Sequence, residues 1–204
     1  MKRIIAAFTA IMITLHAAVA CAEWPTAAKT LRESIVYIEG KSGSCTGFVI
    51  DNERDFVLTA AHCDMPELYV DLAPAKVRAK DVKNDLMVLH VEGIDRPALK
   101  LAKVNPKVGD EVATYGYGWG LEQPLFRVSH ISATDAQIQT QLPNQGPFFV
   151  VDSNFMPGQS GGPVINAKNE VVSIVQLGSN AGVGFGIGAE QIQAKVGRYF
   201  EGGK

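Results

Sequence analysis

Ser160 lies in Met156-Pro157-Gly158-Gln159-Ser160-Gly161-Gly162-Pro163-Val164, a serine wedged between glycines and bracketed by prolines. Such a stretch is either an ordinary surface turn or a nucleophile whose small neighbours let a substrate backbone approach. A serine hydroxyl attacks poorly until an imidazole takes its proton, so the second reading needs a histidine. Gly158-Gln159-Ser160-Gly161-Gly162 also fits the G-x-S-x-G nucleophile elbow, in which that histidine follows the serine in the chain. The four histidines are His16, His62, His90 and His130, all upstream of Ser160, so the elbow reading fails.

The base must come from earlier in the chain, and His62 is the candidate. It ends a strand-like run, Leu58-Thr59-Ala60-Ala61-His62-Cys63, with alanines on one side and a cysteine on the other. His90 and His130 fall within alternating strand patterns, where an exposed or core-satisfied histidine is the plainer reading. A carboxylate that holds the imidazole in one tautomer and stabilises the imidazolium completes the set. Asp85 in Lys83-Asn84-Asp85-Leu86-Met87-Val88-Leu89 opens a strong apolar strand that would fix its position. Alone, each of these residues reads as structural, Asp85 as a turn aspartate. Their coincidence is the signal.

Elements that could carry them recur as short apolar, β-branched segments separated by turn signals: 34–39, 45–50, 55–59, 68–72, 86–91, 111–115, 125–131, 148–151, 171–177 and 183–187. That spacing predicts an all-β sandwich or barrel. The clearest helix is C-terminal, where Ile192, Val196, Tyr199 and Phe200 recur at i, i+4, i+7 and i+8 as one apolar stripe. Asn105-Pro106-Lys107 divides the chain into halves of similar strand content. Gly116-Tyr117-Gly118-Trp119-Gly120 and the run Gly182–Gly188 alternate as G-x-G-x-G and do not match a dinucleotide fingerprint. In the second run Val183, Phe185 and Ile187 would share one strand face, and the glycines on the other would let something come close.

The 204 residues, 47% hydrophobic and 20% charged, suit one globular core. Lys2-Arg3, an uncharged stretch from Ile4 to Ala20 and the ending Ala18-Val19-Ala20 read as a secretory signal peptide over residues 1–20, with a membrane anchor as the alternative. The formal charge of −2 becomes two units more negative without Lys2 and Arg3, and no basic run is present, which argues against nucleic acid as a partner. Export permits disulfides. Cys45 and Cys63 sit in strand-like segments and form the natural pair, worth about 3 kcal/mol in the chain-entropy estimate. Cys21 is left at the processing site, open either to acylation as a lipoprotein cysteine, which would tether the protein to a membrane, or to ordinary cleavage, giving a periplasmic or secreted chain. The cysteines and histidines show no zinc-ligand spacing, and the chemistry requires neither metal nor cofactor.

Together, "SCTGFVI", "TAAHC", "NDLMVL", "PGQSGGPV" and "VVSIVQLGS" resemble the chymotrypsin-like serine proteases over nearly all of the chain after residue 20. "VGDEVATYGYGWG", Asp152 eight residues before the serine, and "GVGFGIG" resemble the bacterial HtrA-type branch. The resemblance implies two six-stranded antiparallel β-barrels with a C-terminal helix, within a single protease domain over 21–204. The first barrel would span about 33–104 and the second, with the helix, about 107–204, leaving no room for an appended PDZ domain. It implies a Ser160–His62–Asp85 triad, an oxyanion hole from the Gly158 and Ser160 N–H groups, and a Cys45–Cys63 bridge beside the histidine. Gln176-Leu177-Gly178 would bind a polypeptide substrate as an added strand.

Departures from the family pattern shape the rest. Gln159 stands where many trypsin relatives carry an aspartate that pairs with a newly cut N-terminus, so activation by that route is not expected. Asn154 replaces the pocket aspartate of trypsin, and Phe155 and Val183 are expected to line a pocket for small or medium apolar side chains. The reading is an exported serine endopeptidase acting on polypeptides. The alternative is a catalytically silent binding protein of the cell envelope on the same scaffold.

Overall fold

The computed structural model describes residues 23–139, 146–179 and 181–200; the signal-peptide reading and Cys21 lie outside them. Helix α1 (Glu23–Leu31) and a 3-10 turn (Arg32–Ser34) lead into seven strands. These are β1 (Ile35–Gly40), β2 (Gly43–Asp51), β3 (Phe56–Thr59), β4 (Tyr69–Val70), β5 (Ala73–Pro74), β6 (Lys76–Asp81) and β7 (Leu86–His90). The second half holds β8 (Lys100–Leu101), β9 (Glu111–Gly116), β10 (Leu125–Ala136), β11 (Phe148–Val151), β12 (Pro163–Asn166), β13 (Glu170–Gly178) and β14 (Gly184–Gly188). Helix α2 (Ala189–Val196) and a 3-10 turn (Gly197–Tyr199) follow.

The first sheet runs β5-β4-β1-β2-β3-β7-β6. Its two edge strands are consecutive in the chain, joined through Ala75, so the sheet curls back on itself as a half-barrel with no closing ladder. The second runs β12-β9-β10-β11-β14-β13 and closes through β12–β13 into a six-stranded antiparallel barrel. Strand β8 adds to β13 in parallel, Lys100 opposite Glu170. The chain has thus already crossed to the second sheet ahead of the Asn105-Pro106-Lys107 break. The expected two-barrel architecture with a C-terminal helix is present, the second sheet as a closed six-stranded barrel and the first as a seven-stranded half-barrel.

Burial explains which segments pair. Residues 45–50 of β2 and 86–89 of β7 are buried on both faces, matching their continuous apolar runs. Phe48, Leu58, Leu86 and Val88 of the first sheet share one core cluster with Ile165, Val171 and Ile174 of the second and with Ile192 and Val196 of α2. The seam between the sheets is therefore itself a core, and α2 packs across it against β6, β7, β13 and β14. The catalytic candidates sit at the edge of this seam.

Strands β5, β6, β8 and β12 and helix α1 escape the sequence pattern. In β6, Lys-Val-Arg-Ala-Lys-Asp, only Ala79 is buried, as suits a charged edge strand. Helix α1 buries Ala27 and Leu31, and its Trp24 packs on Phe126 while donating to Glu111.

The glycines of β14 do admit close neighbours. A Cβ on Gly184 would lie 2.2 Å from the Phe155 ring, on Gly188 2.3 Å from the Phe149 ring, and on Gly186 2.1 Å from the Ile174 carbonyl oxygen. The last is backbone and cannot yield. Gly186→Ala is therefore expected to destabilise the fold by about 3 kcal/mol, at the upper end of ordinary overpacking, measured as a shift in the urea midpoint.

Candidate active site

Asp85 ends the turn between β6 and β7. Asn84 donates from its backbone and side chain to Asp81 (3.0 and 2.8 Å), and the Asp85 N–H reaches the Val82 carbonyl at 3.3 Å. This turn places Asp85 at φ 55°, a left-handed conformation that aspartate tolerates better than most residues. Its carboxylate is 1% exposed. Oδ1 accepts the His62 backbone N–H at 2.8 Å, and Oδ2 lies 2.8 Å from His62 Nδ1. One carboxylate thus fixes both the main chain and the ring of the histidine. With Nδ1–H donated to Asp85, the free tautomer leaves Nε2 as the basic nitrogen.

His62 lies in the 3-10 turn Ala61–Cys63 that follows β3, between buried Ala61 and buried Cys63. Cys63 is joined to Cys45 on β2. Cys45, His62 and Cys63 bring their ligand atoms within 4.8 Å of one another, but the sulfurs are bonded to each other and offer no thiolate.

Ser160 is brought to this turn from the other barrel by backbone bonds. Its carbonyl accepts the Thr46 N–H at 2.9 Å, while Gly161 N–H donates to Val175 and Val175 N–H to Gly162, both at 2.8 Å. Gly161 has φ +83°, and a Cβ there would stand 2.1 Å from Thr59 Oγ1 and 2.3 Å from the Thr46 carbonyl oxygen. Only glycine lets the serine's peptide wedge this deeply between β2, β3 and β13.

The loop before Ser160 is held open. Buried Gln159 accepts the Met156 N–H on its own side chain (2.9 Å), and its backbone N–H donates to the Met156 carbonyl (3.0 Å). Trp119 N–H donates to the Pro157 carbonyl at 2.9 Å, and Thr46 Oγ1 donates to the Gly158 carbonyl at 2.8 Å. Gly158 sits at φ +95°. With both flanking carbonyls engaged, the Gly158 and Ser160 N–H groups donate to no acceptor among the described residues.

His62 and Ser160 line one cleft of about 380 Å³, with Asn154, Phe155 and Met156 on one wall and Gln176, Leu177 and Gly178 on another. Beyond Val175, β13 runs past the end of β12, and residues 176–178 line this cleft. Val183 is not among the lining residues; its carbonyl instead closes a turn with the Ser179 N–H and hydroxyl (3.0 Å each). His90 packs edge-on to Phe56. His130 faces Asp152, with Nδ1 and Oδ2 3.4 Å apart at a half-exposed site on β10.

Three supporting side chains were not legible in the sequence. Thr46 is fully buried, and besides its two bonds to the serine loop its Oγ1 accepts the Tyr117 N–H at 2.8 Å. Gln176, expected to serve substrate through its backbone, also donates from Nε2 to the Asn84 and Asp85 carbonyls (2.8 and 3.1 Å). A ladder irregularity between Val175 and Leu177 accompanies that turn toward the seam. Tyr117 is partly buried, which raises its phenol above the usual tyrosine range, and the charge of Asp71 adds to the effect.

Histidine and aspartate from one β-barrel facing a serine from a second, across the cleft between them, define the chymotrypsin-like class. Comparison with known proteins agrees. The model of the trypsin-like peptidase domain matches residues 45–174, and the chain belongs to that family. A periplasmic serine endoprotease DegP-like protein of Hahella chejuensis is 34% identical over 155 residues, covering 70% of this chain and 32% of that protein. A counterpart from Pseudomonas fluorescens is likewise 34% identical, over 157 residues, and this chain again spans about a third of its length, 32%. Among solved structures, a protease of M. tuberculosis in its active form shares the fold at TM-score 0.75 and 22% identity, covering 87% of this chain and 85% of that one. A serine endoprotease from Yersinia pestis does so at TM-score 0.73 and 22% identity, covering 87% and 66%. The chain thus spans about a third of the length of these DegP-like relatives.

The central place of Thr46 can be tested by folding alone. Thr46→Val keeps the shape but strands the Tyr117 N–H and the Gly158 carbonyl, a loss of about 1–3 kcal/mol by urea unfolding. Thr46→Ser, which keeps the hydroxyl, is expected to recover most of it.

Proposed function

We propose that the protein is an exported serine endopeptidase in which Ser160 is the nucleophile, His62 the general base and acid, and Asp85 the group that orients His62. The observation that carries this reading is the two-point hold of buried Asp85 on His62, in a cleft His62 shares with Ser160 beside two undonated N–H groups. Export is supported by the signal-peptide pattern of residues 1–20 and by relatives named as periplasmic.

A polypeptide would lie along residues 176–178 as an added strand, its scissile carbonyl over Ser160. Ser160 Oγ attacks the carbonyl carbon as its proton passes to His62 Nε2. The negative charge that develops on the carbonyl oxygen is met by the Gly158 and Ser160 N–H groups, each such donor being worth about 2.7–4 kcal/mol in the transition state. The C–N bond then breaks as His62 returns the proton to the leaving amine, leaving an acyl-Ser160 ester. Water, deprotonated by the same nitrogen, releases the acid and restores the serine.

Specificity follows from the walls of the cleft. Phe155 is packed down on Gly184, and Met156, Val175 and Leu177 supply further apolar surface, with no acidic side chain among the lining residues. Small or medium apolar residues before the scissile bond suit it. A silent binding role gains nothing from undonated amides beside Ser160.

Ser160→Ala is expected to lower turnover of a peptide substrate by about 10⁶-fold and to abolish a single fluorophosphonate adduct seen by intact-mass spectrometry. Retained turnover in the variant would defeat the assignment. Gln176→Ala is expected to reduce kcat roughly ten- to hundredfold with little change in KM, because the Asp85 main chain loses its brace. A lowered melting temperature with kcat intact would mark Gln176 as structural only.

A further inference from the structure

A second groove, about 640 Å³, opens on the far flank of the loop that carries Gly158. Its place is fixed by contacts already described. The space beside Gly158 is closed by the Tyr117 carbonyl oxygen and by Ser44 Oγ, 2.8 and 3.6 Å from where a Cβ would stand. Tyr117 itself lines the groove, and Ser44 pairs with Glu39 on β1, as Thr46 pairs with Tyr37. Tyr37 and Glu39, two apart on β1, present the same strand face and line the same groove. The opposite wall, Gly120–Glu122, follows directly on Trp119, whose N–H holds the Pro157 carbonyl. The groove therefore begins where a chain passing over Ser160 away from β13 would leave the first cleft.

Its chemistry is mixed. Tyr37 and Tyr117 meet edge to face at 5.2 Å, and Leu72 and Leu121 are 82% and 46% exposed. Asp71 and Arg96 neutralise each other: Asp71 Oδ1 accepts the Tyr37 N–H at 2.9 Å, Oδ2 lies 2.7 Å from Arg96 Nη2, and Arg96 Nη1 also reaches the Glu33 and Ile35 carbonyls. The side-chain carboxylates of Glu39 and Glu122 have no hydrogen-bond or ion-pair partner among the described residues. Two uncompensated carboxylates thus face an aromatic and aliphatic surface, the combination that suits a long cationic side chain, its stem on the rings and its head on the acids.

The geometry points to this groove as the subsite for the leaving-group half of a polypeptide substrate, selecting an arginine or lysine within the first few residues after the scissile bond through Glu39 and Glu122. The inference rests on the reading of Ser160 as the nucleophile. It differs from trypsin-type selection, because the basic residue stands on the side that departs as the amine, while the acyl side remains apolar.

The test uses quenched fluorescent peptides with one apolar acyl half and leaving halves that differ only in carrying Arg, Gln or Glu. Wild-type kcat/KM is expected to favour Arg over Glu by about tenfold or more at low salt, the ratio shrinking as ionic strength rises. In Glu39→Gln, Glu122→Gln the ratio should fall to near one, and the exposed Glu122→Gln alone should give part of that fall. A wild-type ratio near one, or a ratio unchanged in the double variant, overturns the proposal. Fluorophosphonate labelling of Ser160 is read in parallel and reports the nucleophile by itself, so a labelled enzyme without Arg preference defeats the subsite and leaves the protease reading intact. Fluorescence anisotropy of the leaving-half peptides on Ser160→Ala supplies the same comparison without turnover. Equal binding of the Arg and Glu forms there would also overturn it.

Discussion

Hydrogen bonds from Thr46 to the serine loop and to Tyr117 join the two halves of the molecule at the point where chemistry is proposed. Its N–H holds the Ser160 carbonyl, its hydroxyl donates to Gly158 and accepts from Tyr117, and its carbonyl accepts from Thr59. Serine and histidine belong to different sheets, and no covalent bond spans the gap between them. Apolar packing along the seam brings the sheets together without specifying register to within a hydrogen bond. Directional bonds to buried groups do specify it, because each one lost leaves an unpaired polar atom away from water.

A second tie of the same kind runs in the opposite direction. Thr46 reaches from the first sheet to the serine loop, and Gln176 reaches from the second sheet to the main chain of the Asp85 turn. Between them they hold the loop of Ser160 and the turn of Asp85. Asp85 adds a third constraint by taking the backbone and the ring of His62 on one carboxylate. A left-handed aspartate at the mouth of a buried strand is costly to place, and the turn bonds of Asp81 and Asn84 offset that cost locally.

What was legible in the sequence follows from what is local. The triad candidates were readable because each sits in a short stretch whose composition serves one purpose: alanines packing around His62, an apolar strand behind Asp85, glycines around Ser160. Most strands were readable because burial on both faces leaves continuous apolar runs. β6 was not, since an edge strand with one buried alanine has the composition of a loop, and α1 was not, since its apolar face is short and docks on partners distant in sequence. Thr46 read as β-branched strand filler and Gln176 as backbone, because nothing local reveals a bond across the seam. Val183 does not line the cleft, since it precedes β14 and its carbonyl closes the turn with Ser179.

Both seam ties are neutral. Dissolved salt screens charges and leaves amide, hydroxyl and carbonyl pairs nearly untouched. The register between the serine loop and the first sheet is therefore held by contacts indifferent to the ionic composition of the medium, a property suited to the export proposed for this chain. The two ties between the sheets are thus insulated from the surroundings, while the carboxylates of the second groove are exposed to any screening the medium supplies.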